Sequence, residues 1–126
     1  MVKEQDCIFC KIVKGEMPSK KVYEDKNFIA FLDIKQVADG KTLVIPKQHF
    51  ETILDIPNTL GNEFLEAIKK VCLKLIQDGK AEGFNLLMNN YPVAGQIVPH
   101  AHVHVLPRKK KDGLKGLYLE EVEKDN

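Results

Sequence analysis

Several global signals are missing from this chain, and each gap narrows what it can do. No apolar run reaches the roughly 20 residues needed to cross a bilayer. The opening stretch Met1-Val2-Lys3-Glu4-Gln5-Asp6 has neither the apolar segment of a secretory signal nor the Arg-rich, acid-poor character of a transit peptide. The expected location is therefore the cytoplasm, with no membrane partner. An excess of one charge is missing too, since 19 basic and 18 acidic side chains leave a formal net charge of +1. No broad field draws the protein to nucleic acid, so any nucleotide recognition has to be local. Cysteine is scarce and odd in number, three residues in all, which argues against a disulfide framework. Repeats, low-complexity tracts and long linkers are absent as well. The 126 residues read as one domain, 1–126, with a core over about 7–108 and a short basic C-terminal tail.

What is present is a set of short strands around one helix. Lys21-Val22-Tyr23-Glu24 and Phe28-Ile29-Ala30-Phe31-Leu32 flank the turn-prone Asp25-Lys26-Asn27 and read as a hairpin. Asp39-Gly40 introduces the β-branched run Thr42-Leu43-Val44-Ile45, which Pro46 stops, so His49 lies at a strand exit. From Asn58 or Thr59 to Gln77, Leu60, Phe64, Ile68, Val71 and Leu75 recur at helical spacing, with Lys69, Lys70 and Lys74 elsewhere on the cylinder. Cys72 falls within this apolar pattern as a core residue, and Gly79 is a natural left-handed cap. Phe84-Asn85-Leu86-Leu87-Met88 follows as a strand, then a loop over residues 89–96. The order favours an α+β fold with a mostly antiparallel sheet. Arg108-Lys109-Lys110-Lys111 reads as a solvated exit.

The residues with the most chemistry are His100, His102 and His104, three of the four histidines, alternating with Ala101, Val103 and Val105. Alternation on a strand places the rings on one face and the small apolar residues on the other. Imidazole can ligate a metal, transfer protons or attack an electrophile near neutral pH. A hydrolytic metal site lacks its usual accessories here, because no His-Glu-x-x-His helix or Asp-rich cluster is present. Covalent attack on phosphorus suits the row better, since a neutral ring attacks through one nitrogen when the other is held by an acceptor. Cys7-Ile8-Phe9-Cys10 stands apart as a metal or redox pair.

The stretch His100-Ala101-His102-Val103-His104-Val105-Leu106 resembles the histidine triad motif. Further blocks resemble that family in the same order: Cys7-Ile8-Phe9-Cys10-Lys11-Ile12, Ala30-Phe31-Leu32-Asp33-Ile34, Thr42-Leu43-Val44-Ile45-Pro46-Lys47-Gln48-His49 and Ala94-Gly95-Gln96. The resemblance implies a five-stranded, mostly antiparallel sheet with one long helix and a short N-terminal helix. It also implies a homodimer and a nucleotidyl hydrolase or transferase acting on a purine nucleoside monophosphate joined to a second group. On this chain His102 would be the nucleophile and His104 its phosphate-side support. Asn89 and Gln96 would supply amide donors, with Gly95 bringing backbone N–H groups close to the phosphate. Asp33 would bind the ribose, with Ile8, Phe9, Ile12, Phe31 and Ile34 around the base.

Some family members, especially bacterial-type ones, hold a structural zinc on Cys, Cys, His and His. Cys7, Cys10, His49 and His100 match that set, which would leave His102 and His104 for chemistry. Ile97, beside the phosphate site, stands where some relatives carry a serine or threonine, and isoleucine donates no proton. The leaving group would then draw its proton from water or a main-chain donor. Nucleoside phosphoramidates or adenylated small molecules are the expected substrates. Dinucleoside polyphosphate hydrolysis, and a nucleotide-binding regulator with little turnover, are the alternatives.

Overall fold

The computed structural model describes residues 6–114. Most of the N-terminal stretch read for a leader, and the part of the C-terminal tail beyond Leu114, lie outside the described residues. Strands β1 (Lys21–Glu24), β2 (Phe28–Leu32), β3 (Thr42–Pro46), β4 (Gly83–Leu87) and β5 (Val103–Arg108) form one antiparallel sheet in the order β1-β2-β3-β5-β4. Helix α1 (Ile8–Val13) precedes them and α2 (Gly61–Gln77) connects β3 to β4. This is the expected α+β arrangement, one long helix and one short one around five strands. Among the described residues, no helix is long and apolar enough to cross a membrane.

The β1–β2 turn is set by Asp25, whose Oδ1 accepts from the backbone N–H groups of Asn27 and Phe28 at 2.9 and 2.7 Å. On one face of the sheet, Phe28, Ala30, Val44, Val103 and Val105 pack against Ala67, Val71, Cys72 and Leu75 of α2. Phe28 and Phe64 add a parallel ring stack at 5.1 Å. Each fully buried side chain of this kind contributes about 1.5–3 kcal/mol, which makes the α2 face the stiff side of the molecule. Ile29, Phe31, Leu43 and Ile45 point the other way and pack with Phe9, Cys7 and Cys10 at α1. His104 sits opposite Leu43 in the β3–β5 ladder and shares that second face.

Three boundaries differ from the pattern reading. A 3₁₀ turn occupies Asn58–Leu60, so α2 proper begins at Gly61. Strand β4 begins one residue early and ends at Leu87. More consequential is β5, which starts at Val103 rather than His100. Upstream of it the chain bonds elsewhere: the Ala101 N–H donates to the Phe50 carbonyl at 2.7 Å and the His100 N–H to that of Val98 at 2.8 Å. Only His104 of the three histidines belongs to the regular strand. At its other end β5 runs through Pro107, which pairs with Phe84, while β3 reaches only as far as Val105.

Candidate active site and metal centre

Between α1, the segment after it and the sheet lies a cavity of about 700 Å³. Ile8, Phe9, Ile12, Phe31 and Ile34 line it, as do Asp33, Ile97, His102 and His104. Its walls are chiefly apolar, the character of a ligand pocket with few orienting polar groups. Ile34 and Ile97 are 95% and 64% exposed, so they rim the opening, whereas Phe9 and Phe31 are buried in the wall.

His102 is 4% exposed, and its Nδ1 lies 2.8 Å from the His100 carbonyl oxygen. A carbonyl only accepts, so Nδ1 carries the proton and Nε2 carries the lone pair. Phe9 packs edge-on against this ring at 5.1 Å, and the His104 ring follows at 4.9 Å. Burial lowers the His102 pKa; the His100 hydrogen bond and Asp33 oppose the shift, and Lys41 adds to it. Burial also pushes His104 down to about 4, with His102 and Lys41 contributing. Both rings are therefore neutral at neutral pH. The Nδ1 of His104 is buried with no hydrogen-bond partner among the described residues.

Asp33 lies just past β2 and lines the cavity. Its Oδ2 pairs with Lys41 Nζ at 2.8 Å, and its Oδ1 accepts from the Lys35 N–H at 3.1 Å. Lys41 is 2% exposed and was not picked out from the sequence. Lys41 lies just before β3, two residues from Leu43, so strand alternation carried through it puts the two side chains on one face. Met17 and Pro18 also line the cavity and belong to no motif.

The loop residues expected at the phosphate are placed differently. Asn89, Gly95 and Gln96 do not line the cavity. The Gln96 amide is committed to the chain, its Nε2 donating to the carbonyls of Glu51 and Val98 at 2.6 and 3.0 Å, and its Oε1 accepting from the Tyr91 N–H at 2.6 Å. With both amide hydrogens used, Gln96 braces the loop rather than offering a donor to phosphate in this conformation. Asn89 Nδ2 lies 3.3 Å from the Gly95 carbonyl, and Gly95 adopts φ +95°, a left-handed conformation that favours glycine. The Gly95 N–H donates to Pro92 at 3.0 Å. Amide donors competing for internal carbonyls cannot be recognised from composition.

On the other side of Phe9, Cys7, Cys10, His49 and His100 converge, with their ligand atoms all within 4.8 Å of one another. Cys7 Sγ and His100 Nδ1 are 3.3 Å apart, Cys10 Sγ and His49 Nδ1 3.3 Å, Cys10 Sγ and His100 Nδ1 3.5 Å, and the two Nδ1 atoms 3.3 Å. A tetrahedron drawn with zinc–nitrogen and zinc–sulfur bonds has edges of about 3.3–3.8 Å, so the donors are spaced for such an ion. The His100 Nε2–H donates to the Pro46 carbonyl at 2.8 Å, which presents Nδ1 to the cluster. Burial lowers the His100 pKa to about 4. Cys7 also caps α1, its sulfur accepting from the Cys10 N–H at 3.4 Å. Two nitrogens and two sulfurs, on four residues of which three are buried, make a donor set that suits zinc in a structural role.

Residues 14–111 match the model of the HIT domain. Adenosine 5'-monophosphoramidase HNT1 of Candida albicans is 41% identical over 121 residues, covering 93% of this chain and 78% of that protein. Adenylylsulfatase HINT3 of Arabidopsis thaliana is 36% identical over 111 residues, 88% of this chain and 56% of that protein. The crystal structure of a HIT family member from Bacillus subtilis superposes with a TM-score of 0.82 at 42% identity, covering 94% of this chain and 85% of the other.

Proposed function

Because the chain belongs to the HIT domain family, we propose that it is a nucleotidyl hydrolase that attacks the α-phosphorus of a purine nucleoside monophosphate conjugate through His102. The observation that carries this reading is the His102 tautomer. Its Nδ1–H is spent on the His100 carbonyl, which leaves the Nε2 lone pair on a neutral ring lining the cavity. In the first step Nε2 bonds to phosphorus while the bond from phosphorus to the leaving group breaks, the departing atom taking a proton from water. In the second, the hydroxide that water leaves bonds to phosphorus, the bond between phosphorus and His102 Nε2 breaks, and His102 is restored. His104, which lines the same cavity, would support the phosphate side of the ligand. The apolar wall of Phe9, Ile12 and Phe31 suits a base, and Asp33 suits the ribose hydroxyls.

The named activities of HNT1 and HINT3 favour phosphoramidates and adenylated small molecules over dinucleoside polyphosphates. Ile97 at the rim brings no acidic hydrogen to the leaving group, which puts selectivity on the strength of the bond being broken. Adenosine 5'-phosphoramidate, aminoacyl-adenylate and diadenosine polyphosphate assayed in parallel test this. The first two are expected to turn over with labelled nucleotide trapped on His102. Nucleotide binding with no turnover of any of the three would support a regulator instead.

Zinc on Cys7, Cys10, His49 and His100 would bind α1 and the β3 exit to the histidine segment, supplying rigidity rather than catalysis. We also propose a homodimer. Strand β4 is an edge strand whose Phe84 and Leu86 are 39% and 46% exposed, an apolar edge that pairing with a second copy would cover. Light scattering at micromolar concentration is expected to give twice the chain mass, and a monomer there would reject the dimer.

A further inference from the structure

The ion pair between Lys41 and Asp33 is built with more care than a chance contact requires. Asp33 N–H donates to the Lys41 carbonyl at 3.0 Å, closing the β2–β3 connection at its mouth. Inside that connection the Gln36 amide donates to the carbonyls of both residues, at 2.7 Å to Asp33 and 2.8 Å to Lys41, while its oxygen accepts from the Gly40 N–H at 2.8 Å. Gly40 completes the device. It takes φ +98°, and a Cβ there would come within 2.9 Å of a Leu75 methyl carbon on α2. The connection is thus locked from both sides, with its two ends delivering an ammonium and a carboxylate side by side.

Burying a lysine at 2% exposure is costly unless it is paired, and the partner here is a carboxylate at the edge of the ligand cavity. A carboxylate offers about four acceptor positions. Lys41 Nζ takes one on Oδ2, and the Lys35 N–H takes one on Oδ1. Oδ2 is otherwise buried, so Oδ1, with about one position remaining, is the oxygen left to accept from a sugar hydroxyl.

We propose that Lys41 is a positioning residue for specificity: by holding Oδ2 its ion pair fixes the Asp33 carboxylate so that Oδ1 is presented to the ribose 2'-hydroxyl, and the site selects a ribonucleotide over its 2'-deoxy counterpart. This rests on the nucleotide reading given above. Lys41 acts through Asp33 and not on the phosphate, and that separation makes it testable. Without the ammonium, the carboxylate rotates about its side-chain torsions and loses its register with that hydroxyl. A substrate lacking the 2'-hydroxyl has no such register to lose.

The experiment measures kcat/KM for adenosine 5'-phosphoramidate and its 2'-deoxy analogue, and takes their ratio, in wild type, Lys41→Met, Lys41→Arg, Asp33→Asn and the Lys41→Met, Asp33→Asn double variant. Lys41→Met is expected to lower the ratio roughly tenfold, as losing one well-placed hydrogen bond to a charged group does. Asp33→Asn should lower it as far, Lys41→Arg should recover part of it, and the double variant should fall no lower than Asp33→Asn. A Lys41→Met enzyme that slows on both substrates alike with the ratio retained would overturn the assignment and place the lysine at the phosphate or in the fold. If Lys41→Met does not fold, Asp33→Asn and the double variant decide, because the double variant leaves no stranded charge. Equal ratios in those two support the proposal and a further fall in the double variant overturns it. Wild-type protein that turns over neither substrate would defeat the nucleotide reading itself, and this assignment with it.

Discussion

His102→Ala is expected to reduce turnover on the order of 10³-fold or more while nucleotide binding and folding persist. In the proposed mechanism the ring is the group whose lone pair attacks phosphorus, so no neighbour replaces it by geometry. His104 lies on the same cavity wall, but its Nδ1 meets no carbonyl that would hold its tautomer. His102 has that carbonyl at 2.8 Å. The fold should survive because the α2 face of the sheet, which holds Phe28, Val44, Val71 and Val105, does not involve the ring. Single-turnover kinetics with labelled substrate checks the chemistry, and thermal melting checks the fold. Retained turnover would remove His102 as nucleophile. The pH profile adds a second reading. The proposed attacking form is the neutral ring, and burial lowers its pKa, so the neutral form persists below the ordinary histidine range. The acid limb of kcat/KM should therefore fall below about pH 6.5, the unperturbed value, and a limb at or above it would contradict a buried nucleophile.

How much of this was legible in the sequence depends on which interactions are periodic. The hairpin 21–32, the β-branched run into Pro46 and the apolar stripe of α2 are periodic, and each formed where the pattern put it. The start of β5 was not, because the carbonyls of Phe50 and Pro46 capture the histidine segment before the sheet does, and such long-range pairing leaves no local trace. The same limit applied to the site. Ile8, Phe9, Ile12 and Phe31 reach the cavity because they alternate or recur on a face. Lys41 shares the alternation of Leu43, but a lysine beside a strand reads as solvent-facing until Asp33 is found across the connection. Gln96 reads as a donor, and only the positions of Glu51, Tyr91 and Val98 show that its amide is already occupied.

Removing metal should have the second largest effect, and it reaches further than the cluster. Protein purified without added zinc is expected to carry about one zinc per chain, and a strong chelator should lower Tm by roughly 10 °C or more, as losing a tightly bound ligand of the native state does. The physical reason is that four donor groups, three of them buried, are packed within 4.8 Å of one another. Phe9 carries the consequence onward. It rides on α1 between Cys7 and Cys10 and packs edge-on against both His100 and His102, at 5.8 and 5.1 Å. His100 supplies the carbonyl that holds the His102 tautomer, so a loosened His100 leaves the nucleophile's acceptor unfixed. Stability and kcat should consequently fall together on chelation, in contrast to His102→Ala, where kcat falls and Tm is largely kept. Cys10→Ser should reproduce the chelated state and respond no further to chelator. Zinc content near zero in wild type, with a melting curve indifferent to chelator, would reject the metal and leave the four side chains as a buried polar cluster held by His100 and Pro46.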